Sequence, residues 1–257
     1  MARNLFTNYG DVFHILAVLI ILIKLETKKD GSDISTKSQG LFLIVFLTRY
    51  LDLFYVFYSS FNSSMKVFYI SSSLWIVYRL VFPSGQFRRT INYYDDTFRV
   101  SFAILPCSII TACIVAQTYF RMRHHFHVNG YILEGCWTFS ILLESVTMLP
   151  QAVLIHRKRF RGQEVEPFVL RYTVLIWLYR AFYILNWIYR SYFEEYYQHH
   201  LLVYICGVLQ TVIISLPWIA ERCGFYSPPE EEVSRDEEEE VNGPVIYNLM
   251  ELEDREV

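Results

Sequence analysis

Apolar runs long enough to cross a bilayer recur along this chain, separated by short polar breaks. They fall at Tyr9–Leu25, Leu41–Tyr58, Met65–Phe82, Phe98–Gln117, Tyr131–Ile155, Phe168–Arg190 and Leu201–Glu221. Each meets or approaches the ~20 residues a helix needs to traverse the hydrocarbon. The pattern predicts an all-α membrane protein with seven transmembrane helices and no soluble domain between them. Behind the first run there is no small-residue cleavage site, so it reads as a retained helix rather than a removed signal peptide.

The polar residues that interrupt these runs are also periodic. In the sixth run Tyr179, Tyr183, Asn186 and Arg190 recur at i, i+4, i+7 and i+11, one helical face roughly 16 Å long at 1.5 Å per residue. In the fifth run Glu134, Trp137, Ile141 and Glu144 do the same at i, i+3, i+7 and i+10, while Arg49 and Asp52 are i, i+3 neighbours in the second. His14 lies in the first. A charged side chain at bilayer depth costs at least ~2.5–3.5 kcal/mol, so such residues face partners or a wet cavity.

Two readings of these stripes stand. Arg180 with Glu144, or Arg49 with Asp52, would be buried ion pairs that hold the bundle. Alternatively Arg49, Arg180 and Arg190 exceed the deep carboxylates and line a pocket for an anion, arginine suiting the two-pronged recognition of a carboxylate. His14 is either a satisfied core histidine or a proton switch, since histidine titrates unperturbed near pH ~6–7.

Charge sets the orientation. One set of loops carries Lys24, Lys28, Lys29 and Lys37, then Arg88 and Arg89, then Arg157, Lys158, Arg159 and Arg161; the opposite set offers mainly Arg3, Lys66, Arg121 and Arg123. The richer set is expected in the cytosol, with the N-terminus lumenal and the C-terminus cytosolic. The formal net charge of −3 conceals an asymmetry: from Ser227 onward 12 acidic residues face 2 arginines, a net of −10, which leaves +7 on the rest. Residues 1–226 are therefore read as the transmembrane domain and 227–257 as a disordered acidic cytosolic tail.

The five cysteines lack metal-ligand spacing and read as small apolar fillers. Asn62-Ser63-Ser64 is a formal glycosylation sequon close to the membrane. There is no phosphate loop, zinc motif or nucleophile elbow. Neither an enzyme, a cofactor, a metal nor a nucleic-acid partner is expected.

In order along the chain, several runs resemble the KDEL receptor family, the ER lumen protein-retaining receptors: Gly10-Asp11 with His14; Lys37-Ser38-Gln39; Thr48-Arg49-Tyr50-Leu51-Asp52-Leu53-Phe54; Ser64-Met65-Lys66; Asp96-Thr97-Phe98-Arg99-Val100; Trp137-Thr138-Phe139-Ser140; Leu143-Glu144-Ser145-Val146; Leu149-Pro150-Gln151; Leu178-Tyr179-Arg180-Ala181; Asn186-Trp187; Tyr192-Phe193-Glu194; and Gly207-Val208 with Gln210-Thr211. The resemblance implies two three-helix bundles joined by a linker helix, the fold of SWEET and PQ-loop transporters.

The resemblance also implies a function. Escaped ER lumenal proteins ending in Lys/His-Asp-Glu-Leu would be captured in the acidic Golgi, returned by vesicles coated with coatomer, and released near neutral pH. By position, Arg49 would hold the terminal carboxylate of that tetrapeptide and Arg190 its first acidic residue. Asp52, Glu134 and Trp137 would receive the basic residue, the indole through a cation–π contact. Tyr50, Tyr183 and Asn186 would line the site; His14, Tyr179 and Glu144 would form the pH switch, with Arg180 in a core ion pair.

The chain departs from the family pattern at Thr7, where an arginine is usual, at Leu216 beside Pro217, where an aspartate is usual, and at Asn129 near His124, His125 and His127. The tail departs most. In place of a short lysine-bearing end it carries Tyr247-Asn248-Leu249-Met250, a pattern read by clathrin adaptors, and Ser234 before acidic residues. The competing expectation is a PQ-loop-like, proton-coupled small-solute transporter of endolysosomal or secretory membranes, which Pro150-Gln151 would suit.

Overall fold

The computed structural model describes residues 4–54, 59–85, 87–91, 93–122, 128–194 and 200–224. Expectations placed on His124, His125, His127, the Asn129 side chain, Ser234, Tyr247, Met250 and the rest of the 227–257 tail lie outside these residues. The regular elements among the described residues are helical: α1 (Leu5–Ile23), α2 (Thr36–Arg49), α3 (Ser60–Val81), α4 (Phe87–Thr90), α5 (Ser101–Met122), α6 (Val128–Val146), α7 (Leu149–Phe160), α8 (Pro167–Phe193) and α9 (Leu201–Arg222).

Local chemistry sets the helix starts. Asn4 Oδ1 accepts from Thr7 N at 2.9 Å, Ser35 Oγ from Ser38 N at 3.1 Å, and Ser59 Oγ from Asn62 N at 3.2 Å. Each satisfies a donor that the first turn leaves open. Pro167 opens α8, where its missing N–H costs nothing, and Glu166 accepts from Phe168 N at 2.9 Å.

Two expected spans take a different form. The second begins at Thr36 and its α-helix stops at Arg49, followed by a 3₁₀ turn over Leu51–Phe54. The fifth is broken: α6 ends at Val146 and α7 begins at Leu149. Pro150 has no N–H to offer the Val146 carbonyl, so the ladder is interrupted there. Both freed ends find partners on neighbouring segments. Ser38 Oγ donates to the Thr147 carbonyl, and Gln151 accepts from Ser35 N at 2.9 Å while donating to the Asp33 carbonyl at 2.8 Å.

Five helical segments are long and apolar enough to cross a membrane: Leu5–Lys28, Ser101–Phe120, Gly130–Phe160, Pro167–Phe193 and Leu201–Arg222. Thus the chain is a multi-pass membrane protein. α1 lies along α8; α2 packs on α3 and α6; α3 also touches α1; and α9 touches α6, α7 and α8. Close approach at two crossings requires glycine. A Cβ on Gly10 would stand 2.7 Å from the Tyr183 ring, and one on Gly207 2.5 Å from the Trp187 ring.

The end of the bundle that holds the α1 C-terminus is tied by ion pairs. Lys24, fully buried, reaches Asp30 at 2.7 Å and Glu166 at 3.3 Å. Lys158 pairs with Asp33, and Arg161 reaches Asp95 at 2.5 Å. Partial burial opposes ionisation of Asp30, but hydrogen bonds from the Lys24 ammonium and from Ser32 outweigh it and hold the carboxyl below the ordinary carboxylate range.

Candidate functional site

At the opposite end a cavity of about 310 Å³ opens between α1, α2, α3, α6, α8 and α9. Helical period brings the polar stripes to it. From α1 come Asp11 and His14, three residues apart; from α6 come Trp137, Ile141 and Glu144; from α8 come Tyr179, Arg180, Tyr183 and Trp187. Arg49 and Tyr50 enter where α2 stops, and Tyr69, Cys206 and Gln210 complete the wall from α3 and α9.

Glu144 is the electrostatic centre. Its Oε2 accepts from Arg49 Nη1 at 2.6 Å, and its Oε1 lies 2.6 Å from Arg180 Nη2 and accepts from Tyr179 Oη at 3.1 Å. Arg49 Nε donates to Ser140 Oγ at 3.1 Å. Two guanidinium groups therefore share one carboxylate, all within a setting where an unpaired charge is costly. Arg49 Nη2 and Arg180 Nε are buried and have no hydrogen-bond acceptor among the described residues. Both amide atoms of Gln210, wholly buried, are also without a partner there.

His14 is enclosed by rings. Tyr179 stacks on one side with centroids 4.3 Å apart and Tyr69 at 4.6 Å. Tyr183 donates to Asp11 Oδ1 at 2.7 Å, beside the close approach at Gly10.

Other candidate residues lie off the cavity wall. Asp52 pairs with Lys66 at 2.7 Å rather than with Arg49, whose carboxylate partner is Glu144. Arg190 pairs with Glu194 at 2.7 Å, the residue just past the end of α8. Asn186 is buried and accepts from Asn4 Nδ2 at 2.5 Å, and the Asn4 cap also holds Thr7 Oγ1 at 2.7 Å. Glu134 is exposed, while Trp137 lines the cavity and its ring lies 6.0 Å from that of His200.

Several wall residues carried signals that the stripes on single helices did not convey. Asp11 precedes His14 by three positions on α1. Tyr69 follows Lys66 by three on α3, and Cys206 and Gln210 are four apart on α9, each pair sharing a face.

The chain matches the family model described as ER lumen protein retaining receptor over residues 30–190. It is 41% identical over 213 residues to an ER lumen protein-retaining receptor of Entamoeba histolytica, covering 83% of this chain and 90% of the relative. ER lumen protein-retaining receptor 2 of Gallus gallus is 41% identical over 210 residues, 82% of this chain and 89% of the relative. The receptor 2 of Homo sapiens is 40% identical over the same shares. On these matches the chain belongs to the ER lumen protein-retaining receptor family.

Proposed function

We propose that the protein is a pH-dependent cargo receptor of endoplasmic reticulum and Golgi membranes that binds the C-terminal KDEL- or HDEL-like tetrapeptide of ER lumenal proteins for retrieval. The observation that carries this reading is the buried Arg49 Nη2 at the cavity wall, a donor without an acceptor among the described residues. A free peptide carboxylate supplies that acceptor. The second guanidinium, Arg180, keeps Glu144 occupied while Arg49 turns to its ligand.

The proposed topology has seven spans in two three-helix bundles, with α5 as linker, an N-terminus in the lumen and a C-terminus in the cytosol. The packing supports it. In each triplet the third helix touches the other two, and the triplets meet reciprocally, α1 against α8 and α2 against α6. The cavity then faces the lumen, and coatomer or a clathrin adaptor engages the cytosolic side.

In this reading the peptide exchanges partners with the receptor's own ion pairs. Its first acidic residue replaces Glu194 on Arg190, and its basic residue replaces Lys66 on Asp52, with Glu134 and Trp137 beside it. Tyr50, Tyr183 and Asn186 set the shape. His14 is the switch: protonation adds a cation facing Tyr179 and Arg180 on α8, Tyr69 on α3, Arg49 on α2 and Glu144 on α6, and redistributes their hold on Glu144. Thr7, engaged with Asn4, leaves the peptide's second acidic residue without a cation of its own.

The test is binding of an immobilised free-carboxylate tetrapeptide. Capture is expected to be stronger near pH ~6 than ~7.4, and to disappear when the carboxylate is amidated. Arg49→Ala is expected to weaken it by roughly thirtyfold or more, the cost of about 2 kcal/mol upward for losing a buried charged partner. Binding of the amidated peptide equal to that of the free acid rejects the reading.

A further inference from the structure

The short helix α4 presents its residues in a fixed alternation. Phe87 and Ile91 are buried, and the Arg79 guanidinium lies 5.0 Å from the Phe87 ring. Gly31 N donates to Thr90 Oγ1 at 2.8 Å, and a Cβ on Gly31 would meet Ile91 at 2.6 Å, so α4 is pinned against the loop that follows α1. Arg88 and Arg89 consequently face outward. They are exposed and make no ion pair among the described residues, whereas Arg79 is already engaged by Glu26 at 3.0 Å.

Beside this pair lies a groove of about 530 Å³ lined by Val81, Phe82, Pro83, Arg88 and Tyr93. Tyr93 is oriented by its hydroxyl, which donates to the Leu80 carbonyl at 2.7 Å. Phe82 is 67% exposed and Val81 46%, both at the terminus of α3. An aromatic and aliphatic wall thus continues from a membrane-level helix to a guanidinium at the mouth. A phosphate free in solution would leave the Phe82 ring in water. A phospholipid covers that ring with acyl carbons while its phosphate meets Arg88.

We propose that this groove is a binding site for one anionic phospholipid of the cytosolic leaflet, with Arg88 at the headgroup phosphate, Arg89 adding positive potential from the neighbouring position, and Val81 and Phe82 against the start of the acyl chains. The inference rests on the topology proposed above, which puts the α3 C-terminus at that leaflet. The anionic lipids there attract basic residues at this depth.

The full-length receptor, purified in detergent and supplied with mixed phosphatidylcholine and phosphatidylinositol 4-phosphate, is examined by native mass spectrometry for retained lipid. The wild type is expected to keep the anionic lipid in preference. Each arginine near an anionic surface contributes about fivefold, so R88Q/R89Q is expected to lower that preference roughly thirtyfold. Phe82→Ser is expected to weaken retention of the intact lipid. Tetrapeptide capture by the same samples reports the distant cavity and is expected to be unchanged by these substitutions, so failure of one site is distinguishable from failure of the other. Equal retention by the wild type and R88Q/R89Q overturns the proposal. So does competition by soluble inositol phosphate as strong as that by the lipid, which marks a free-phosphate site. A synthetic peptide of residues 227–257 that needs both arginines, in a receptor without lipid preference, assigns the groove to the acidic tail and also overturns it.

Discussion

At one end of the bundle Lys24 is fully buried between Asp30 and Glu166, two carboxylates whose side chains remain 26% and 20% exposed. At the other, Glu144 is buried between Arg49 and Arg180, whose side chains are 19% and 8% exposed. The arrangements look like mirror images, one cation with two anions and one anion with two cations. They differ in where the flanking charges go if the centre is removed. The carboxylates around Lys24 keep other partners, Ser32 for Asp30 and Lys28 for Glu166, while Arg49 keeps only Ser140 and Arg180 has no second carboxylate among the described residues. Buried polar atoms without a hydrogen-bond partner among the described residues occur at both ends, Thr36 Oγ1 and Asp96 Oδ1 at one, but those of Arg49, Arg180 and Gln210 belong to residues that line a single cavity. The Lys24 end is built to stay closed, and the Glu144 end is built to accept something.

The sharpest test of that contrast removes each centre in turn. Glu144→Ala leaves buried Arg180 and half-buried Arg49 without their carboxylate and is expected to cost about 3–5 kcal/mol, seen as a large fall in thermal unfolding temperature in detergent. Lys24→Met is expected to cost about 1–3 kcal/mol, since Asp30 keeps Ser32 and Glu166 keeps Lys28. A loss at Lys24 as large as that at Glu144 breaks the comparison.

A smaller effect is expected where helices α1 and α8 touch. Gly10→Val forces the Tyr183 ring away and disturbs its bond to Asp11, overpacking that costs about 1–3 kcal/mol. Peptide capture should fall with stability, whereas lipid retention at α4 should not. Capture that survives the substitution intact would place the Tyr183 ring outside the functional wall.

The smallest effect concerns pH. The Asp30 carboxyl is held below its ordinary range in the folded protein. Its stabilisation is therefore fully present above the unfolded value of about 3.9, and is lost only as pH falls through the lower folded value. The difference in unfolding temperature between wild type and Asp30→Asn should be the same at pH ~7.4 and ~6, the window in which an unperturbed histidine titrates. A difference that changes across this window would assign pH sensitivity to the end we describe as closed.

Much of this architecture is legible in the sequence because helical period is a local property. The stripes on α6 and α8 are visible without coordinates, and Trp137, Glu144, Tyr179 and Tyr183 do meet at the cavity. Pairing is different, because it depends on helices far apart in the chain. Asp52 is the obvious partner for Arg49 from spacing alone, yet Glu144 takes that role and Asp52 turns to Lys66, a residue read as a loop charge. The partner of Arg190, Glu194, lies beyond the apolar run, although α8 continues to Phe193 and brings the two within reach. The break between α6 and α7 was hidden by hydropathy, which sees one run across Pro150. Proline ends a ladder without making the segment less apolar.

That break gives the Glu144 helix a fulcrum. Glu144 lies on the last turn of α6, and Gln151, just past the break, is fastened to Ser35 and Asp33. The joint itself is tethered to α2 through Ser38 and the Thr147 carbonyl. A pull on the Glu144 carboxylate would therefore be felt one turn from a joint that α2 and the loop before it hold in place.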